Sequence, residues 1–292
     1  MSRLIVNADD FGLTAGVNRA IAELHRAGTL TSASLMARAE ATEEAVAIAH
    51  ANPALGVGCH VVLVDGAPVL SAREEIPHLA SPRNGRFRPS SIGFLNWLYR
   101  DSNPQWPFRA RAMREIEAEA AAQIALLQGK GVALTHIDTH KHTHMFPAVL
   151  RPLLRAARAA GIRAVRNPFE PAWSLRATPG APWVRRAQVN LLRRLEPAFR
   201  RIVAEEGFTT TDGAIGILAT GTLDAATISS LLRRLPPGTW ELIAHPGYND
   251  ADLARANTRL LASRETEREA LSALQRFAEI ERISFAVLQG NV

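Results

Sequence analysis

The chain has a single cysteine, Cys59, among 292 residues. That excludes a disulfide framework and any multi-cysteine zinc site, and it fits a reducing compartment. Aromatic residues are sparse at 6%, and neither the aromatic modules nor the zinc fingers of nucleic-acid readers occur. No apolar run approaches the roughly 18 residues that a membrane span needs. The opening MSRLIVNADDFG has only five apolar residues before two acids, so no secretory signal is expected. A cytoplasmic protein without a transmembrane segment is expected. Acids rather than glycines follow the first apolar strand, so no phosphate or dinucleotide fingerprint is present there.

What is present is an ordinary globular composition, 47% apolar and 21% charged, enough for a large core. The length suits one large α/β barrel or two ordinary domains. Net charge is +6, mostly an excess of arginine, with a pI near 10.5. Such a balance permits attraction to nucleic acid or anionic lipid without demonstrating it, since arginine-rich solvated faces give the same number.

Short apolar runs alternate with longer helical patterns, the signature of βαβ units and a parallel sheet. The spacing predicts strands at Leu4–Ala8, Thr31–Met36, Leu55–Leu63, Val132–Thr139, Ile162–Arg166, Ile215–Ala219, Leu242–Ala244 and Ser284–Leu288. It predicts a first helix capped by Thr14 and closed by Gly28, then helices at Thr42–Ala51, Ala110–Gln128 and Pro147–Ala160. Further helices are expected at Val184–Glu206 with a kink at Pro197, at Ala225–Leu235 and near Ser263–Ile280. Residues 64–107 and 167–183 read instead as loop excursions, and the first is long enough to be a functional insertion or lid. Without a linker or internal repeat, the expected architecture is α/β: a single-domain divergent (β/α) barrel over residues 1–292, TIM-barrel-like with about seven strands. A doubly wound open sheet is the alternative.

Four of the nine histidines fall between His136 and His144, in THIDTHKHTH. On an extended strand His136, Asp138 and His140 share one face, an expensive arrangement for core packing. Asp9 and Asp10 directly follow an apolar strand; two acids there can start a turn, or can divide cation binding and proton transfer between them. His60 in GCHVVL is a lone polar side chain in an apolar run, a pattern more common for core histidines. His245 in AHPGY sits where a strand ends. Each signal alone has a bland explanation. Their joint position at the carboxyl ends of four strands is where βα-barrel active sites assemble.

NADDFGL, GCHVVL, THIDTHKHTHMFP and AHPGY occur in the order seen in YdjC-like carbohydrate deacetylases, and the chain resembles that family from about Arg3 to Tyr248. The group includes chitooligosaccharide deacetylases and deacetylases of hopanoid lipid biosynthesis. The resemblance implies a divergent barrel, a divalent cation and hydrolysis of an acetamide on an amino sugar. It places Asp10, His60 and His140 as metal ligands, Asp9 as general base and His245 as candidate general acid. The residues themselves agree that one carboxylate and two imidazoles suit a divalent metal, but do not select His140 over His136, His142 or His144. Those neighbours and Asp138 are expected to orient ligands or to meet the sugar. The resemblance implies magnesium, whereas two imidazoles favour zinc or another later transition metal.

In the expected reaction a metal-polarised acetyl carbonyl is attacked by water, Asp9 takes the water's proton, and His245 protonates the departing amine. Trp97 or Trp106 of the 64–107 excursion is expected to offer a flat face to the sugar ring. Rival readings are a metal-dependent phosphoesterase on a similar barrel, and a binding protein that docks its basic helix 185–201 on nucleic acid or a membrane. The partner expected is an N-acetylated amino sugar, free or lipid-linked, with no nucleic acid; a homodimer and peripheral lipid contact are carried as family-flavoured expectations.

Overall fold

The computed structural model describes residues 1–99 and 107–290. Its first half alternates β1 (Ser2–Phe11), α1 (Ala15–Arg26), β2 (Ser32–Leu35), α2 (Thr42–Ala51) and β3 (Gly56–Val61), then α3 (Ser91–Leu98), α4 (Pro107–Gly129), β4 (Leu134–Thr139) and α5 (Pro147–Ala159). There follow α6 (Ala172–Ala177), α7 (Trp183–Leu192), α8 (Glu196–Glu205), β5 (Gly213–Ile215), α9 (Ala225–Leu232), β6 (Gly238–Ala244), α10 (Ala251–Arg255), α11 (Ala262–Ser272), β7 (Glu281–Arg282) and α12 (Ala286–Gln289). Thr14 caps α1, its Oγ1 accepting from Val17 N at 3.3 Å, and Gly28 closes the helix at φ +71°, a left-handed turn that glycine takes without strain.

The strands form a parallel α/β half-barrel in the order β4-β3-β2-β1-β6-β5, with β7 beside the start of β1. Every pairing is parallel, as the strand–helix alternation requires. The expected strand Ile162–Arg166 is an extended segment with sparse pairing. Ile137 N donates to Ala164 O at 3.0 Å, and Thr209 N donates to Arg163 O at 2.8 Å on its other side.

Three expectations are corrected. The run Ser284–Leu288 is no strand: β7 lies just before it, and the chain then winds into α12. Phe285, Ile283 and Leu288 join Ile5 and Ala164 in a small apolar cluster of their own, and Phe285 N donates to Ser32 Oγ at 3.1 Å. This segment plugs the amino-terminal end of the strands, so its apolar side chains fill an interior rather than line a sheet. The long basic helix is two helices, because a 3-10 turn at Arg193–Leu195 separates α7 from α8; Pro197 falls in the first turn of α8, where its missing N–H costs nothing. The charged helix near Ser263–Ile280 ends at Ser272 and gives way to a 3-10 turn.

The 64–107 excursion is not featureless either. It carries α3, and polar side chains of α4 satisfy its backbone. Glu119 accepts from Val69 N and Leu70 N at 2.8 and 3.0 Å, and Glu115 from His78 N and Leu79 N at 3.0 and 2.8 Å. Among the described residues no helix is long and apolar enough to cross a membrane.

Candidate active site

Successive residues of a strand point to opposite faces, so Asp9 and Asp10 should diverge. They do not. The register of β1 against β2 shifts between Ala8 and Phe11, and Asp10 takes a left-handed backbone, φ +61°. This irregularity at the end of β1 turns both carboxylates into one site, and a non-glycine residue held there is a backbone cost that active sites commonly carry.

Asp10 Oδ1 faces two rings, His140 Nδ1 at 3.3 Å and His60 Nε2 at 3.7 Å. The atom is buried and has no hydrogen-bond partner among the described residues. The ligand atoms of Asp10, His60 and His140 all lie within 4.8 Å of one another, a grouping able to hold one cation. Asp10 and His60 are fixed from behind. Arg264 Nη2 donates to Asp10 Oδ2 at 2.5 Å, and His60 Nδ1 meets Asp138 Oδ1 at 3.0 Å, leaving His60 Nε2 to face Asp10. A carboxylate behind a ligating imidazole sets its tautomer and basicity. Burial alone would lower the His60 pKa; Asp138, Asp9 and Asp10 outweigh it and raise it to about 9. The field that draws a proton onto this ring is one that attracts a divalent cation, so the donor set fits the metal that the sequence implies.

Asp9 has different partners within the same site. Arg166 grips it with Nη1 at 2.9 Å from Oδ2 and Nη2 at 2.6 Å from Oδ1, while Asn7 Nδ2 donates to Oδ1 at 3.0 Å. The same guanidinium contacts Asp138, and its Nε donates to Glu241 Oε1 at 2.8 Å. Burial would raise the Asp9 pKa, but Arg166 and His60 hold it below the ordinary value. His245 Nε2 lies 3.8 Å from Asp9 Oδ2, and its Nδ1 3.7 Å from Glu267 Oε2. Glu267 Oε2 also accepts from His245 N at 2.6 Å. Against its burial, Glu267, Asp9 and Asp10 raise the His245 pKa. A carboxylate held toward its ionised form and an imidazole held toward its protonated form thus stand beside the cation cluster.

The remaining candidates separate by depth. Asp138 is fully buried and bridges His60 to Arg166. His136 is also sealed, below the site: its Nε2 meets Ser34 Oγ at 3.3 Å and its ring stacks on Phe285 at 3.9 Å. Gly58 is required there, because a Cβ would come within 2.4 Å of that ring. His144 is sealed too, between Thr139 Oγ1 and Arg166 O. Burial lowers these two rings to about 3 and about 4 respectively, so they are neutral near pH 7. His142, at φ +53° beside Lys141 at φ +57°, remains partly exposed.

Trp97 corrects an expectation. At 8% exposed it packs on Phe94, with Arg88 4.4 Å from its ring, inside the excursion rather than as an open platform. Trp106 lies outside the described residues. Sequence reasoning missed Arg166, Glu241, Arg264 and Glu267. A charge inside the short apolar runs around Val165 and Leu242 could have flagged the first two, whereas Arg264 and Glu267 look like solvated charges of α11.

Three comparisons bear on this geometry. The sequence profile of YdjC-like proteins matches residues 3–280. A carbohydrate deacetylase of Oceanobacillus iheyensis is 30% identical over 273 residues, covering 94% of this chain and 97% of the relative. A carbohydrate deacetylase of Brevibacillus brevis is 42% identical over 155 residues, a match spanning 53% of this chain and 55% of that one. A chitooligosaccharide deacetylase of Salmonella typhimurium is 36% identical over 160 residues, 54% of this chain and 57% of the relative. The crystal structure of a putative cellobiose-phosphate cleavage protein from Enterococcus faecalis V583 superposes with a TM-score of 0.73 at 24% identity, covering 98% of both chains; it shares the fold.

Proposed function

The chain belongs to the YdjC-like protein family, and from that membership we propose that it is a metal-dependent deacetylase of N-acetylated amino sugars, acting on an N-acetylglucosamine-containing oligosaccharide or glycolipid and releasing acetate. It is a hydrolase of an amide C–N bond. The observation that carries the reading is the buried, unpartnered Asp10 Oδ1 facing His60 and His140, with Asp9 and His245 alongside.

Asp10, His60 and His140 would hold the cation. When bound, it supplies Lewis-acid polarisation of the acetyl carbonyl and a water of lowered pKa. The resemblance favours magnesium, and the two imidazoles admit zinc. Asp9, kept ionised by Arg166, accepts the proton of the attacking water. His245, its protonated form favoured by Glu267, donates to the sugar nitrogen as the C–N bond breaks, because an amine anion is too basic to leave unassisted. Water has then added to the acetyl carbon, and acetate and a free amine result.

Residues 1–292 form one catalytic domain in this reading. The hydrogen bonds of 162–169 to β4, Thr209 and β5 support a barrel closed through that segment. A cytoplasmic location accompanies it. The test is acetate release from diacetylchitobiose by the purified protein, with and without a chelator. Release that stops on chelation and returns with one divalent metal supports the reading. Phosphate-ester hydrolysis without acetate release rejects it.

A further inference from the structure

Helix α7 is turned inside out. None of its residues is buried, and its charged residues, not its apolar ones, face the protein. Arg185 Nη1 donates to Thr220 O at 2.8 Å and its Nη2 to Ile217 O at 3.1 Å. Arg186 Nη2 donates to Thr178 O at 3.1 Å, and its Nη1 to Leu175 O. Outward stand Trp183, Val184 and Leu191, 79%, 47% and 59% exposed, with Ala187 between them. Positions i, i+1, i+4 and i+8 share one helical face. They make a continuous apolar stripe rather than scattered single side chains, and such stripes on soluble chains mark interaction surfaces.

The surrounding charge identifies the partner. From Pro171 to Leu195 the chain has five arginines and no acid. Two of those arginines are spent on carbonyls, as above; Arg194 is exposed beside the stripe, while Arg200 and Arg201 on α8 pair with Glu196 and Glu205. A second copy of this chain would bring the same positive surface against it, with like charges opposed. An anionic lipid surface takes both components: tryptophan and leucine enter the headgroup boundary while arginine pairs with phosphate.

The geometry points to α7 as a docking edge for anionic membrane surfaces. Its place in the fold gives the contact a consequence. Arg185 holds the 217–220 turn that follows β5; the next residue, Gly221, donates its N–H to Glu267 at 3.0 Å, and Glu267 accepts from His245 N. Helix α7 is thereby tied, through one turn, to the wall of the candidate site that positions His245. This inference stands on the helix and its charges, independently of the reaction assigned to the site.

Co-sedimentation of the full chain with vesicles tests it. Wild type binds vesicles containing phosphatidylglycerol and is released in part by high salt, and it binds pure phosphatidylcholine poorly. The double variant Trp183→Ala/Leu191→Ala loses at least roughly tenfold in vesicle affinity while keeping the wild-type circular dichroism spectrum and denaturation midpoint, which shows that it is folded. The inference is overturned if wild type ignores anionic vesicles, if neutral vesicles bind it as well, or if the double variant sediments undiminished. A dimer that the same substitutions dissolve, with no vesicle binding by wild type, assigns the stripe to a second copy instead.

Discussion

Arg166 holds both carboxylate oxygens of Asp9 at 2.6–2.9 Å, and both side chains are almost wholly out of water. A bidentate guanidinium fixes the direction of a carboxylate as well as its charge. One positive charge serves Asp9, Asp138 and Glu241 together, so Arg166 is the hub on which the polar interior depends. Removing it leaves three buried acids without their shared guanidinium. Arg166→Met is expected to lose about 3–5 kcal/mol of stability by chemical denaturation. Arg166→Lys keeps the charge but not the fork, and is expected to retain the fold while kcat drops.

The two adjacent acids separate by function in a metal assay. Asp9→Asn is expected to keep its divalent metal and lose about 10²–10⁴-fold in kcat, because an amide cannot take the water's proton. Asp10→Asn and His140→Ala are expected to lose the metal itself, whereas His142→Ala keeps it. Metal content by elemental analysis, beside acetate release, checks all four. An empty Asp9→Asn site with a loaded Asp10→Asn site reverses the assignment.

Glu241 gives a pH signature of stability. Burial raises its pKa to about 8 from an ordinary 4.5, against the opposing pull of Arg166 and with Asp9 and Asp138 adding to the rise. Its Oε2 has no hydrogen-bond partner among the described residues, while Oε1 accepts from Arg166. Between those two values the folded chain holds a proton that the unfolded chain has released. Stability from this group is complete below about pH 4.5 and falls as pH rises toward 8. Glu241→Gln removes that fall. The difference between the denaturation midpoints of wild type and variant, followed from pH 5 to 8, isolates it from the other carboxylates.

The alternation of apolar runs with helical patterns made the parallel α/β architecture legible, and α2 runs over Thr42–Ala51 as its spacing predicts. Asp9, Asp10, His60, the 136–144 histidine cluster and His245 were legible as a group because each interrupts or ends an apolar strand, while the choice of His140 within the cluster came from the family resemblance; the structure brings Asp9, Asp10, His60, His140 and His245 together. Arg264 and Glu267 were not. They sit in α11 among Glu265, Arg268 and Glu269, and only tertiary contact distinguishes a buried charge there from a solvated one. Trp97 was misread for a related reason: an aromatic in a Pro- and Ser-rich segment suggests an open loop, but the backbone bonds from α4 let the excursion build its own core. Trp97→Ala is accordingly expected to lower the Tm and leave KM for the disaccharide unchanged.

The carboxyl-terminal plug supplies the last prediction. Phe285 is fully buried, its ring lies 3.9 Å from that of His136 in a stacked arrangement, and its N–H is taken by Ser32. Gly56 leaves the space: a Cβ there would come within 3.0 Å of Ser284 and 3.4 Å of Phe285 N. The plug thus supports the face of His136 opposite to nothing catalytic, one layer beneath Asp138, and its contribution is to packing. Phe285→Ala opens a cavity and is expected to cost about 3–5 kcal/mol, read as a lower denaturation midpoint. Because Asp10 and His60 are fixed by Arg264 and Asp138 rather than by the plug, and His140 meets Asp10, metal content should persist in whatever fraction stays folded, and KM should hold. Phe285→Leu, which keeps most of the volume, should recover much of the stability. A Phe285→Ala variant with wild-type stability and a lost metal would instead make the plug part of the site.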